Sequence, residues 1–501
     1  MNLPLVPNVI AGQPVGQPGP DPLAVRNPAT GQAIAQVAEA SPGQVDHAVQ
    51  AADQAFQSWS QVPLGRRTAI LFKLRELLVE ATDELADVIT REQGKVRSDA
   101  KGEVARGLEV VDFACGIPQL LKGEYSPQVA TGVDVTSWRE PLGVTVGITP
   151  FNFPIMVPLW MSPLAIATGN TFILKPSPQD PSAGVQLAEL WRRAGLPDGV
   201  FQVLHGGPGV VNQLLTHSLV RAVSFVGSTP VARHIHAAGV AAGKRVQALG
   251  GAKNHATVLA DANADFAAGS VVAAAFGAAG QRCMALSVVL VEDQIADEFI
   301  ERVVAKAKAV RVAEGADPAA DMGPLISQSA RDRAEEIVTQ AERDGAKVVL
   351  DGRGFRPRGF EGGFFTGPTV LDSVRPAMRA YTEEVFGPVL AVVRIKDLDQ
   401  GIDLINANPY GNGTALFTSS GEAARRFERG VKVGMIGINV PIPVPVGFHS
   451  FGGWKDSLIG DFHIYGPEGV AFYTQAKVST SRWPAPDHNP GASFNFGSRS
   501  N

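Results

Sequence analysis

Between residues 144 and 226, short apolar runs alternate with helical stripes, and no other feature of the chain constrains its fold as strongly. The runs cover 144–149, 171–174, 200–204 and 222–226, with stripes such as 185–194 between them. Consecutive strands separated by helices pair in parallel and need helices on both faces of the sheet. The region therefore reads as a doubly wound α/β sheet, whose ligands sit beyond the carboxyl ends of its strands. A second alternation from 288 to 393, with strands near 288–291, 347–350 and 389–393, predicts a second sheet of the same kind.

Residues 1–25 carry many prolines and glycines and little periodicity, so the globular region is expected to begin at the 27–31 turn and the strand at 34–37. Apolar residues then recur at helical spacing through Val45, Val49, Ala52, Phe56 and Trp59, and again through 71–89 and 104–113. The tail beyond Trp483, rich in Pro, Asn, Gly and Ser, is expected to be poorly ordered unless docked. With 501 residues, 45% of them apolar, the chain can fill at least two domains.

A net charge of -5 with interspersed signs argues against a nucleic-acid partner. The two cysteines, Cys115 and Cys283, lack any spacing suited to a disulfide framework or to zinc, which predicts no metal and a reducing, cytoplasmic setting. The first basic residue is Arg26, so no secretory or transit signal is expected, and no apolar stretch reaches the length of a membrane span.

Cys283 follows an Ala-rich helical run that stops at Gly280, beside Arg282. A small-residue turn with a neighbouring cation suits a reactive thiolate, whereas a cysteine taken by itself is more often a core residue, the reading given to Cys115. Asn152 lies just past a strand end, where its amide could donate to a developing oxyanion or simply serve a turn before Phe153–Pro154. A strand ending in Gly227 and Ser228, with Pro230 in the next turn, offers free helix N–H groups to a pyrophosphate, or a plain N-cap by Ser228. No good GxGxxG is present. Lys175, at a strand end, and Glu384 could each hold a ribose, although either alone reads equally as a surface charge.

In this order the motifs resemble the aldehyde dehydrogenase superfamily from about Asn27 to Trp483. The resemblance implies an aldehyde dehydrogenase-like α/β fold of two Rossmann-like open-sheet domains. Residues 1–124 and 142–254 would bind NAD, and 255–476 would carry the nucleophile. Segments 125–141 and 477–501 would form an oligomerisation ribbon and tail, giving a homodimer or homotetramer. It further implies that Cys283 attacks the aldehyde, that Asn152 and the Cys283 N–H stabilise the oxyanion, and that Phe151, Lys175, Gly227, Ser228, Glu384 and Phe386 contact the cofactor.

The strings 101–109, 250–255, 439–445 and 472–475 are similar to one branch, the CoA-acylating methylmalonate-semialdehyde dehydrogenases. Hydrolytic members carry a glutamate that activates water, and an ungapped count back from Cys283 puts Leu249 at that place. Without that base, a thiol such as coenzyme A, with a reference pKa of about 8.5 for a cysteine thiol, resolves the thioester more readily than water does. The branch also implies that Arg106 and Arg282 bind the carboxylate of a semialdehyde, for which a guanidinium fork is suited. Ordinary readings are a surface helix charge for Arg106 and a structural ion pair for Arg282.

The expected reaction is oxidative decarboxylation of methylmalonate or malonate semialdehyde to propionyl-CoA or acetyl-CoA with NAD reduction. Valine or inositol breakdown is the pathway the branch implies. Pro178 stands where the family usually has a ribose-binding glutamate, so NADP use is not excluded. The rival readings are a hydrolytic semialdehyde dehydrogenase and a non-catalytic binding relative.

Overall fold

The computed structural model describes residues 3–17, 23–484 and 487. Among these, the first sheet has eight strands, in the order Leu458–Ile459, Arg245–Leu249, Val220–Val226, Val144–Ile148, Thr171–Lys175, Phe201–Val203, Asn8–Ile10 and Gln13–Val15. The run from Arg245–Leu249 to Phe201–Val203 is parallel. Every residue of Val144–Ile148 and Thr171–Lys175 is buried, as expected for a parallel sheet covered on both faces. From Val144–Ile148 the chain winds outward through Thr171–Lys175 and Phe201–Val203, then returns on the other side as Val220–Val226. That reversal opens a crevice at the carboxyl ends of Val144–Ile148 and Val220–Val226.

Structure begins well before Asn27, which corrects the expected start of the globular region. Asn8–Ile10 and Gln13–Val15 extend the first sheet at its edge, and Leu5–Val6 pairs with Ala33–Val37. Strands of two or three residues are too short to show periodicity, and edge strands tolerate Pro14. Tertiary hydrogen bonds hold them: Asn8 Nδ2 donates to Ala38 O at 3.0 Å, and His205 N donates to Asn8 Oδ1 at 2.7 Å.

The helical first third consists of Pro42–Trp59, Leu64–Glu80, Thr82–Gln93 and Arg97–Cys115, followed by the short Ile117–Leu120 helix. Ser41 and Gln44 start the first of these with a capping box, and Gly94 ends the third in a left-handed conformation.

The second sheet, of seven strands among the described residues, runs Lys347–Leu350, Thr369–Asp372, Val389–Ile395, Leu286–Glu292, Asn254–Val258, Gly413–Phe417 and Met435–Ile438. All pairings are parallel except that of the Lys347–Leu350 edge. Residues 250–253 carry the chain straight from the carboxyl end of Arg245–Leu249 to the amino end of Asn254–Val258. The cleft is thus bordered by strand carboxyl ends on one side and strand amino ends on the other.

The chain later returns to the first unit. Leu458–Ile459 pairs with Arg245–Leu249, and Phe451, Tyr465 and Phe472 pack in one cluster with Trp160 and Leu164 of the Met156–Ala167 helix. Glu124–Ala130, Val133–Pro141 and Thr474–Arg482 form a separate three-stranded antiparallel sheet, largely exposed, with Tyr125, Val129 and Val478 facing solvent. Nearly all of the tail beyond Trp483 lies outside the described residues. Among the described residues, no helix is long and apolar enough to cross a membrane.

Candidate active site

The Ala264–Phe276 helix gives way to Ala278 and Ala279 at φ of +50° and +53°, then Gly280 at +71°. Left-handed backbone is disfavoured for alanine and persists only where packing enforces it. Both alanines are buried here, and a Cβ on Gly280 would lie 2.3 Å from Gly387 O. This turn delivers Cys283 to the amino end of the central strand Leu286–Glu292. Asn254 Nδ2 donates to the carbonyls of Cys283 and Ala285 at 2.9 and 3.0 Å, and Asn412 Nδ2 donates to Cys283 O at 3.1 Å. Burial pushes the Cys283 thiol up to about 12, aided by the negative charge of Glu384 and opposed by the N–H groups of Cys283 and Met284 and by Arg282.

Cys283 lines a cavity of about 390 Å³ that also receives both predicted carboxylate-binding arginines, Arg106 and Arg282. Its remaining walls are largely apolar, including Phe153, Met156, Trp160, Ile442 and Phe451. Each arginine already holds a carboxylate of the protein. Arg106 Nη1 donates to both oxygens of Glu109 at 2.8 Å, while its Nη2 donates to Val444 O and Pro445 O at 3.2 and 3.0 Å. Arg282 Nη2 donates to Asp99 Oδ1 at 2.5 Å and makes no other hydrogen bond among the described residues. The guanidinium lies against Gly277, where a Cβ would stand 2.6 Å from Nη1. The ion pair foreseen as the ordinary reading of Arg282 is therefore present, with donors left over that can face the cavity.

Asn152 is buried in the turn between Val144–Ile148 and Met156–Ala167, and its side-chain amide has no hydrogen-bond partner among the described residues. Its carbonyl accepts from Lys95 Nζ at 2.6 Å. Phe151, one residue earlier, meets Phe386 edge-to-face at 5.8 Å, so the turn of the first unit touches the Glu384 loop of the second. Phe386 itself has a φ of +55°.

The remaining predicted contacts follow the carboxyl edge of the first sheet. Lys175 ends its strand with a buried ammonium that has no hydrogen-bond partner among the described residues, and burial lowers it to about 8. Ser228 is exposed and does not cap its helix, Thr229–Ala241, through its side chain, so that amino terminus faces the crevice with free N–H groups. A Cβ on Gly227 would lie 2.5 Å from the Phe225 ring. Glu384 Oε1 accepts from Ala252 N at 3.1 Å, and burial pushes its carboxyl up to about 7. Beside it, burial lowers Lys253 to about 7, and its ammonium donates to Ala380 O and Glu383 O at 2.8 and 2.7 Å. An unpartnered cation, an open helix terminus and a carboxylate strung along one edge fit an extended dinucleotide.

Leu249 ends its strand buried, in the same apolar cluster as Met284, against which Cys283 packs. Its side chain is apolar and offers no proton acceptor near Cys283.

Sequence reasoning gave no role to Lys95, Asp99, Glu103, Glu109, Asn254 or Asn412, although Glu103, Glu109 and Asn254 fall in the branch-like strings 101–109 and 250–255. Asp99, Glu103 and Arg106 recur at helical spacing on Arg97–Cys115, and such a charged row beside an apolar stripe was a readable signal. Asn412 gave none, because it is 129 residues from the carbonyl it holds.

Two sheets meeting edge to edge across a cysteine and a dinucleotide-shaped crevice define a class that the sequence comparisons match. The profile of the Aldehyde dehydrogenase family covers residues 16–479, and the chain belongs to that family. Within it, the chain is 50% identical to a malonate-semialdehyde dehydrogenase of Pseudomonas aeruginosa, covering 94% of this chain and 95% of the relative. Among solved structures it is similar to a methylmalonate-semialdehyde dehydrogenase of Oceanimonas doudoroffii, with a TM-score of 0.95, 48% identity and coverage of 97% and 99% of the two chains. A Sinorhizobium meliloti protein named for the same activity and solved in complex with NAD matches with a TM-score of 0.96 at 43% identity, covering 97% of this chain and 99% of the other.

Proposed function

We propose that the chain is an NAD-dependent, CoA-acylating dehydrogenase of malonate and methylmalonate semialdehydes that works through a thioester on Cys283. The observation that carries this reading is one cavity joining Cys283 to Arg106 and Arg282; Leu249, which an ungapped count sets where hydrolytic members carry their base, is apolar and buried. The arginines exchange or share their internal carboxylates for that of the substrate, which turns the aldehyde carbon toward the sulfur. Cys283 Sγ forms a bond to that carbon, and the developing oxyanion lies against Asn152 Nδ2 and the Cys283 N–H. Phe151, Lys175, Gly227, Ser228, Glu384 and Phe386 would hold NAD, which when bound would supply the hydride acceptor.

Collapse of the oxyanion with hydride loss leaves the acyl group as a thioester on Cys283. The β-carboxylate then departs as carbon dioxide, its electron pair delocalised into the thioester carbonyl that the same donors hold. After protonation of that carbon, the thiol of coenzyme A attacks the carbonyl and releases Cys283.

The exposed ribbon of Glu124–Ala130, Val133–Pro141 and Thr474–Arg482 suits self-association into a dimer or tetramer, and the reducing-compartment cysteine usage suits the cytoplasm. The hydrolytic reading keeps one observation in its favour, the Glu384 carboxyl, whose charge acts on Cys283 and which burial pushes up to about 7. Turnover of malonate semialdehyde with NAD, followed by NADH absorbance and mass spectrometry of the acyl product, separates the two. Sustained turnover that needs coenzyme A and yields acetyl-CoA is expected. Equal turnover without it, with a free acid as product, would exclude the acylating reading.

A further inference from the structure

Buried inside the protein, Lys95 and Glu103 form an ion pair of 2.6 Å with side chains 0% and 1% exposed. Such a pair is weak grounds for stability, because desolvating two charges offsets most of their attraction. Its contacts point instead to the turn that carries Asn152. Lys95 Nζ donates to Asn152 O at 2.6 Å and lies 4.3 Å from the centre of the Phe153 ring. Glu103 Oε1 accepts from Ile155 N and Met156 N at 2.8 and 3.1 Å.

The turn has few other anchors. Pro150 and Pro154 bring no N–H, and Ile155, at the helix N-cap position, has no side-chain oxygen to offer. Among the described residues, the hydrogen bonds donated by Lys95 and accepted by Glu103 are the ones that tie residues 150–156 to other segments. Lys95 is fixed in turn by its backbone: a Cβ on Gly315 would lie 2.3 Å from Lys95 O, and Arg97 N donates to Gly315 O at 3.0 Å. One helix turn before Glu103, Asp99 grips Arg282 beside Cys283. A single helix, Arg97–Cys115, thereby references the Asn152 turn and the Cys283 loop to one rigid body.

We propose that Lys95 and Glu103 are positioning residues that aim the Asn152 amide at the oxyanion formed on Cys283. This rests on the reading of Asn152 as an oxyanion donor. A donor displaced by a fraction of an ångström loses most of its preference for the transition state over the bound aldehyde.

The test is a double-mutant cycle on the full chain, read as the rate of the NADH burst when enzyme and NAD are mixed rapidly with malonate semialdehyde and no coenzyme A. Glu103→Gln is measured, as is Lys95→Met combined with Glu103→Gln, which removes both charges together and orphans neither. Each is made in the parent and in Asn152→Ala, with thermal unfolding and Cys283 alkylation by iodoacetamide as checks on folding. The expected result is a burst slowed roughly tenfold or more in the parent and less than about threefold in the Asn152→Ala background, with alkylation unchanged in both. Equal slowing in both backgrounds, or none in the parent, would overturn the positioning role. If Asn152→Ala itself leaves the burst rate intact, it is the oxyanion reading of Asn152 that fails, and the proposal falls with it.

Discussion

The two open sheets of this chain are alike in kind and opposite in use. The first presents the carboxyl ends of Val144–Ile148, Thr171–Lys175 and Val220–Val226 to the cleft, together with the amino terminus of the Thr229–Ala241 helix. Helix amino termini carry partial positive charge and unpaired N–H groups, so this edge is built to bind an anionic, extended ligand. The second sheet presents strand amino ends, where helix dipoles offer nothing to a phosphate, and contributes instead a forced left-handed turn that delivers Cys283. On the function proposed, most of the binding and the covalent chemistry are separated by which end of a parallel sheet faces the cleft. On the roles proposed, the exceptions run both ways: Asn152 and the Arg106 face of Arg97–Cys115 reach from the first unit toward Cys283, and Glu384 and Phe386 reach from the second toward the dinucleotide edge.

The sharpest break of this division comes from Cys283→Ala. Dehydrogenase activity should fall by about 10⁴-fold or more, while the dissociation constant for NAD, read by fluorescence titration, stays within about threefold. Loss of NAD binding in that variant would show that the two edges are not separable. Asn152→Ala crosses the division, and kcat should fall by about 10²- to 10³-fold with little change in NAD affinity. An unchanged kcat would confine the chemistry to the second unit alone.

Smaller effects sharpen the roles of the arginines and of Lys175. Arg106→Ala should raise KM for malonate semialdehyde by about 10- to 100-fold, the value of one or two charge-assisted hydrogen bonds, and leave KM for propanal nearly unmoved. Equal losses for both aldehydes would mean that Arg106 serves only to hold Val444 and Pro445. Lys175→Met should weaken NAD binding roughly tenfold without slowing the burst at saturating NAD.

The least effect expected is electrostatic. As pH rises through about 7, Glu384 ionises and its negative charge opposes ionisation of Cys283, whose thiol stands near 12. Alkylation of Cys283 should therefore climb with pH without a plateau up to pH 9, and Glu384→Gln should speed it by roughly threefold at pH 8. A plateau near pH 7 in the unmodified protein would mean that a different group governs the thiol.

Much of the fold was legible because its signals are local. The alternation over 144–226 named four strands of the first sheet to within two residues at each end, since an apolar run bounded by helices has few other uses. The same local logic found Cys283 after its helix stop, Asn152 after its strand and Ser228 at its helix start. It failed at the amino terminus, where Asn8–Ile10 and Gln13–Val15 are strands only because Phe201–Val203 offers an edge to pair with. It also gave no role to Lys95, which lies between two helices, or to Glu103, whose place in a charged row was readable but whose buried partner only the fold supplies.

By itself, then, the sequence determined the fold class, the order of the sheets and the places of Cys283, Asn152 and Ser228 at the ends of their elements, because periodicity and turn chemistry act over a few residues. Tertiary structure alone decided which edges face each other and which carboxylates the arginines hold before substrate arrives. It also decided that Asn412 steadies a carbonyl 129 residues away. Those choices depend on the path of the whole chain and on the cost of burying a polar group without a partner, and neither is written in any short stretch of residues.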